Sequence, residues 1–168
     1  MKKEDLEKYH LLKNKKKMST NEFFLFRKLS FEKRKYDFET LVIPHFKDFA
    51  KRHGFELTHI FKELSRIFLI KEGLEIFFVE EYQPRKNYSV VFKFLIDKKE
   101  KRYNLSSLIT GKESGINMEQ NCFNEQEILN VLLFITENLF DNKNQSYDIK
   151  TIYSKFLKLR IDNRSAIE

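Results

Sequence analysis

The chain has 168 residues, a formal net charge of +7 and a single cysteine. That length suits one domain with a substantial core, and one cysteine excludes an internal disulfide framework. The charge is uneven, because residues 1–35 hold twelve Lys or Arg against five Asp or Glu, whereas residues 36–168 hold twenty of each. The main body therefore has no net charge that would favour a polyanionic partner.

Residues 1–18 are predicted to be a basic tail or a frayed helix, because their few apolar residues are too sparse for a broad buried stripe. Ser19 and Glu22 have the spacing of a capping box, which predicts that a single α+β domain covers residues 19–168. The chain shows neither a signal peptide nor a run of ~18 apolar residues. We therefore expect a cytoplasmic protein that does not contact a membrane.

Apolar residues at three- and four-residue steps predict a helix from about Phe31 to His53, followed by a stop at Gly54. Pro44 predicts a kink or a restart within it. The period then becomes alternating, and strands are predicted at 55–60, 66–71, 74–82, 88–97 and 102–109, with a charged loop at 98–101. Short connections between consecutive strands favour antiparallel pairing.

Helical periodicity returns near the C-terminus. One helix is predicted from a cap at Asn124 to about Asn142, and another after a cap at Ser146. The order of helices, strands and helices predicts an α+β fold, a four- to five-stranded antiparallel meander flanked by N-terminal and C-terminal helices.

Arg52 and His59 are the only catalytic candidates. They are separated by six residues, a spacing that resembles that of the paired Arg and His in HEPN-type ribonucleases. That resemblance would imply phosphate stabilisation by Arg52 and proton transfer by His59. The family is all-helical, however, and here Gly54 and strands follow, so we expect no enzyme. His45 and His53 lack a third ligand, so we expect neither a metal nor a cofactor. Cys122 is interpreted as an ordinary small residue.

Three stretches share a layout with a known group: Phe46–Phe55, Arg66–Phe78 and Tyr88–Ile96. This pattern of a helix ending in Gly-Phe and then aromatic hairpins resembles small bacterial domains of unknown function that are grouped with immunity proteins of toxin systems. The resemblance covers about fifty residues and carries no diagnostic motif. It implies a non-enzymatic domain that binds another macromolecule.

Two binding hypotheses follow. The first is a module that binds a protein partner, with candidate contacts at Phe77, Val79, Tyr82, Arg85 and Lys86. The alternative for Phe77 and Val79 is that helices cover them as core. The second hypothesis is association with nucleic acid through the basic N-terminal segment. Its candidate residues are Lys13, Lys15, Lys16, Lys17, Arg27, Lys28, Lys33, Arg34 and Lys35.

Overall fold

The computed structural model describes residues 1–62, 64–80, 87–104, 115–117, 125–140 and 147–165. Its helices are α1 Lys3–Lys13, α2 Thr20–Asp37, α3 Ile43–His53, α4 Glu125–Ile135 and α5 Ile149–Ser165. Its strands are β1 Glu56–Phe61, β2 Ser65–Lys71, β3 Leu74–Glu80, β4 Asn87–Ile96, β5 Lys99–Asn104 and β6 Gly115–Asn117. The predicted α+β fold, with helices before and after an antiparallel sheet, is confirmed.

The start of α2 confirms the predicted capping box. The Glu22 amide donates to Ser19 Oγ at 3.4 Å, and the Ser19 amide donates to Glu22 Oε2 at 2.9 Å. A hydrogen bond from Lys15, followed by those from Ser19, lowers the pKa of Glu22 to about 2. The helix therefore begins at Thr20, eleven residues before the predicted start at Phe31.

The long N-terminal helix changes its bonding where Pro44 predicts a disturbance. A π-helical turn, Phe38–Val42, links α2 to α3, and Pro44 falls in the first turn of α3. Pro44 has no backbone N–H to donate, and the wider π-helical turn before it accommodates the missing hydrogen bond. Helix α3 ends at Gly54, which adopts the left-handed conformation with φ 69°.

The strands form an antiparallel meander in the order β1-β2-β3-β4-β5, and β6 also pairs with β4. The prediction of a charged loop at 98–101 is wrong, because β5 begins at Lys99 and only Asp97 and Lys98 form the turn. Both turn residues have positive φ, 50° and 64°, as tight hairpin turns require. A lysine-rich strand is tolerated here because β5 lies at the edge of the sheet.

The main core lies between one face of the sheet and the helices. Phe46 of α3 meets Phe78 of β3 edge-to-face at 4.5 Å between ring centroids. Phe156 of α5 packs against Phe92 and Phe94 of β4 at 5.2 and 5.0 Å. The helices before and after the sheet therefore cover the same face.

Helix α1 is an ordered part of the structure and lies against α2. Tyr9 stacks on Phe26 at 5.7 Å, and Leu12 and Leu29 complete a small cluster separate from the main core. The sequence predicted a basic tail or a frayed helix for residues 1–18; the helix forms here, because packing on one helix needs only a narrow apolar strip. We call α1, α2 and their loop the N-terminal hairpin.

Helix α5 is capped by Asp148, whose carboxylate accepts hydrogen bonds from the amides of Lys150 and Thr151 at 3.2 and 3.0 Å. The predicted caps Asn124 and Ser146, and Cys122, lie outside the described residues. Within the described ranges, no helix combines the length and apolarity needed to cross a membrane.

Candidate protein-binding face

The second face of the sheet carries the candidate site. Residues paired across antiparallel strands share a face, and the core residues Leu69, Ile76 and Phe92 identify the face that the helices cover. The opposite face, which we call the open face, is not covered by any helix in the described part of the chain. It consists of Glu56, Thr58, Ile60, Arg66, Phe68, Ile70, Glu75, Phe77, Val79, Ser89, Val91, Lys93, Leu95, Glu100, Arg102 and Asn104.

The centre of the open face is apolar. Phe68, Phe77 and Val91 lie side by side on β2, β3 and β4, where they are partly buried by one another. The two phenyl rings meet edge-to-face, with centroids 5.4 Å apart and planes at 86°. The pair fixes the orientation of both rings and offers a rigid aromatic surface.

Aliphatic side chains extend this centre toward the sheet margins. Ile60, Ile70 and Leu95 are 43%, 37% and 53% exposed. All three belong to the open face, on β1, β2 and β4 respectively. The apolar surface therefore reaches across strands β1 to β4.

Charged side chains around the apolar centre pair with one another. Lys93 Nζ lies 3.2 Å from Glu75 and 3.1 Å from Glu100, and Arg102 Nε lies 2.6 Å from Glu100. Hydrogen bonds with Glu100 and then Glu75 raise the pKa of Lys93. The open face carries three carboxylates and three cationic groups in all, so it has no formal net charge.

The structure separates the predicted partner contacts into two groups. Phe77 and Val79 lie on the open face, partly exposed, and not under the helices, while Tyr82, Arg85 and Lys86 lie outside the described residues. Sequence reasoning missed Phe68, Val91 and the exposed aliphatic residues. Strands β2 and β4 are apolar on both faces, and this double-sided pattern was the signal for a second apolar surface.

Arg52 and His59 are not brought together. Arg52 lies in the last turn of α3 and pairs with Asp48 at 2.6 Å, whereas the His59 ring packs near Phe38 at 5.9 Å. Arg52 lies fourteen positions after Phe38 along consecutive helical turns, which corresponds to roughly 20 Å. The pair therefore forms no common site.

Arg52 instead lines a cleft of ≈ 240 Å³ between α3 and α4, together with His45 and Thr136. His45 Nε2 lies 2.6 Å from a carboxylate oxygen of Glu125. Arg52 is itself paired with Asp48, so the two basic side chains of the cleft each already contact a carboxylate. In the described parts of the chain, no cluster of His, Cys, Asp or Glu could hold a metal ion.

The residues predicted to bind nucleic acid divide into those that form ion pairs and those that do not. Arg34 is only 14% exposed and forms an ion pair with Glu80 inside the structure. Four others also pair with carboxylates: Lys15–Glu22, Lys28–Glu32, Lys33–Asp37 and Lys35–Glu39. The exposed residues that form no ion pair with the described part of the chain are Lys13, Lys16, Lys17 and Arg27.

Comparison with known proteins gives no relative: no family model, no curated protein and no solved structure matches this chain.

Proposed function

We propose that the protein is a non-enzymatic module that binds a protein partner through the open face. It would act by occlusion or scaffolding, as an immunity protein, inhibitor or accessory subunit does. The observation that supports this most directly is the rigid apolar centre around Phe68 and Phe77, with exposed aliphatic side chains beside it. An apolar centre with a polar rim is the usual anatomy of a protein interface.

The charge of the open face favours a protein over a polyanion. Its three carboxylates equal its three cationic groups in number, and four of the six form a network through Lys93–Glu75, Lys93–Glu100 and Arg102–Glu100. A phosphate backbone would meet as much repulsion as attraction here, whereas a protein surface can match both signs. The face is therefore suited to a partner with its own mixed charges around an apolar patch.

The size of the face sets how much of it a partner must contact. Five strands about 4.8 Å apart, each about 20 Å long, give a surface of roughly 20 by 20 Å. A stable interface buries about 800 Å² on each partner, about twice this flat area, so the apolar centre alone is too small. The partner must also contact the charged rim with Arg66 and Arg102, and surface beyond the edges of the face.

Affinity capture from the native host tests this proposal. The bait is the wild-type chain, compared with a Phe77→Ser, Leu95→Ser variant and with a control, Leu11→Ser, whose leucine is 74% exposed on α1. We expect the wild type and the control to retain one host protein in stoichiometric amount. The open-face variant should lose it. Equal recovery by all three chains would contradict the proposal, as would the absence of a retained protein together with a monomeric elution profile.

A further inference from the structure

The N-terminal hairpin carries a second surface that is distinct from the open face. Its loop and the first turns of α2 enclose a shallow concavity of ≈ 480 Å³ that is lined by Lys16, Phe23 and Phe24 among others. Phe23 and Phe24 are 50% and 61% exposed. Arg27 lies one helical turn further along and neighbours both rings. We call Lys16, Phe23, Phe24 and Arg27 the hairpin corner.

The charge excess of the chain is concentrated around this corner. Lys13 and Lys17 flank Lys16 in the loop, and these lysines and Arg27 are exposed. None of the four cationic groups forms an ion pair with the residues that the structure describes. The hairpin corner therefore offers unneutralised positive charge directly beside two exposed aromatic rings.

The position of the domain beside the hairpin corner restricts which ligands can reach it. Phe24, Phe31 and Phe38 are spaced by seven residues, so they lie along one side of α2. Phe38 is fully buried and Phe31 packs on Phe61 of β1 at 5.4 Å, so the body of the domain lies on that side further along. Because the domain lies on the side of α2 that carries Phe24, a flexible single strand fits this corner better than a flat bilayer.

We propose that the hairpin corner binds single-stranded nucleic acid without sequence preference. The phosphates would contact Lys16 and Arg27 together with the flanking loop lysines, and bases would stack on Phe23 and Phe24. The two rings are inclined at 64°, so they would hold separate, splayed bases. A duplex keeps its bases stacked and paired, so it does not present separate bases to the two rings.

Fluorescence anisotropy with a labelled mixed-sequence oligonucleotide tests this proposal over about 50 to 200 mM salt. Four cationic contacts predict a slope of about −3 for the logarithm of affinity against the logarithm of salt concentration. Replacing both Phe23 and Phe24 by alanine is expected to weaken binding roughly 30-fold or more, because two stacked bases are lost, and to leave the slope unchanged. Replacing Lys16 and Lys17 by alanine is expected to reduce the slope by about 1.4.

The matched control replaces Lys2 and Lys3, which are exposed at the opposite end of α1, and removes the same charge. This control should retain both the affinity and most of the slope. Absent binding, or equal affinity for a duplex and for polyglutamate, overturns the proposal, as does preferential binding to vesicles containing phosphatidylserine at matched phosphate. The corner shares no residue with the open face, so failure here is distinguishable from failure of the protein-binding function.

Discussion

Arg34 of α2 and Glu80 of β3 form an ion pair in which the carboxylate is only 2% exposed. The same carboxylate oxygen accepts hydrogen bonds from the amide and the hydroxyl of Ser65, both at 2.9 Å. The pair therefore connects the long N-terminal helix to the central strand of the sheet and to the start of β2.

Replacing Glu80 by alanine should destabilise the protein by about 3–5 kcal/mol, because it leaves the buried guanidinium and Ser65 without this acceptor. The free energy of unfolding from urea titration measures this. The control is Lys35→Ala, which removes a half-exposed pair with Glu39 and should cost less than about 1 kcal/mol. Similar losses in the two variants would contradict a structural role for the Arg34–Glu80 pair.

Two glycines with positive φ should differ in their response to alanine. A Cβ at Gly54 would meet only the end of the flexible Lys71 side chain at 3.3 Å, whereas at Gly73 it would lie 3.0 Å from Ile149 Cγ1. Ile149 packs against the core and cannot move away as easily. We expect a loss of about 1 kcal/mol for Gly54→Ala and about twice that for Gly73→Ala. Urea titration checks the order, and a larger loss at Gly54 would contradict it.

The adjacent phenylalanines Phe77 and Phe78 of β3 should differ in how much their replacement destabilises the protein. Phe78 is fully buried against Phe46, so Phe78→Ala should cost about 3–5 kcal/mol. Phe77 loses mainly its edge-to-face contact with Phe68, so Phe77→Ala should cost about 1 kcal/mol. Chemical denaturation measures both values. Equal losses would show that the open face is covered in the folded chain.

These two residues also mark the limit of what the sequence predicts. Alternation identified β3 as a strand, and short connections predicted its antiparallel neighbours. Phe77 and Phe78 are chemically identical, however, and both faces of β2 and β4 are apolar. The packing of the helices, α3, α4 and α5 among them, determines which face becomes the core, and that packing depends on contacts distant in sequence.

The other differences between the sequence predictions and the structure concern the edge strand β5, helix α1 and the Arg52 and His59 pair. The charges at 98–101 indicated a loop, yet an edge strand such as β5 needs only backbone pairing with β4 and keeps its lysines in solvent. The sparse apolar residues of α1 indicated a tail or a frayed helix, and Tyr9 and Leu12 suffice to pack this helix against a single neighbour. The Arg52 and His59 spacing was visible in the sequence, but the reversal of the chain at Gly54 places the two residues apart.

His53 should make the stability depend on pH. Burial, followed by the charges of Arg52 and Lys71, lowers its pKa from 6.5. A histidine whose folded pKa is lowered binds fewer protons when folded. Its contribution is therefore complete above pH 6.5 and is lost as the pH falls through the lower folded pKa.

The variant His53→Phe tests this, because it retains an aromatic ring between Phe49 and Phe140 and cannot be protonated. Urea midpoints at pH 7.5 and pH 5 should differ less for this variant than for the wild type. The control His59→Gln keeps His53 and should retain the wild-type difference. An unchanged difference in His53→Phe would assign the pH dependence to other groups.

The N-terminal hairpin should open without unfolding the sheet, because the Tyr9, Leu12 and Leu29 cluster is separate from the main core. Leu29→Ala removes the most buried member of that cluster, with 3% exposure. Hydrogen exchange should therefore accelerate for amides of α1 and the first turns of α2, while amides of β2 to β4 keep their protection. The matched core variant Ile76→Ala should lower protection throughout. Faster exchange across the sheet in Leu29→Ala would mean that the hairpin and the main core form one cooperative unit.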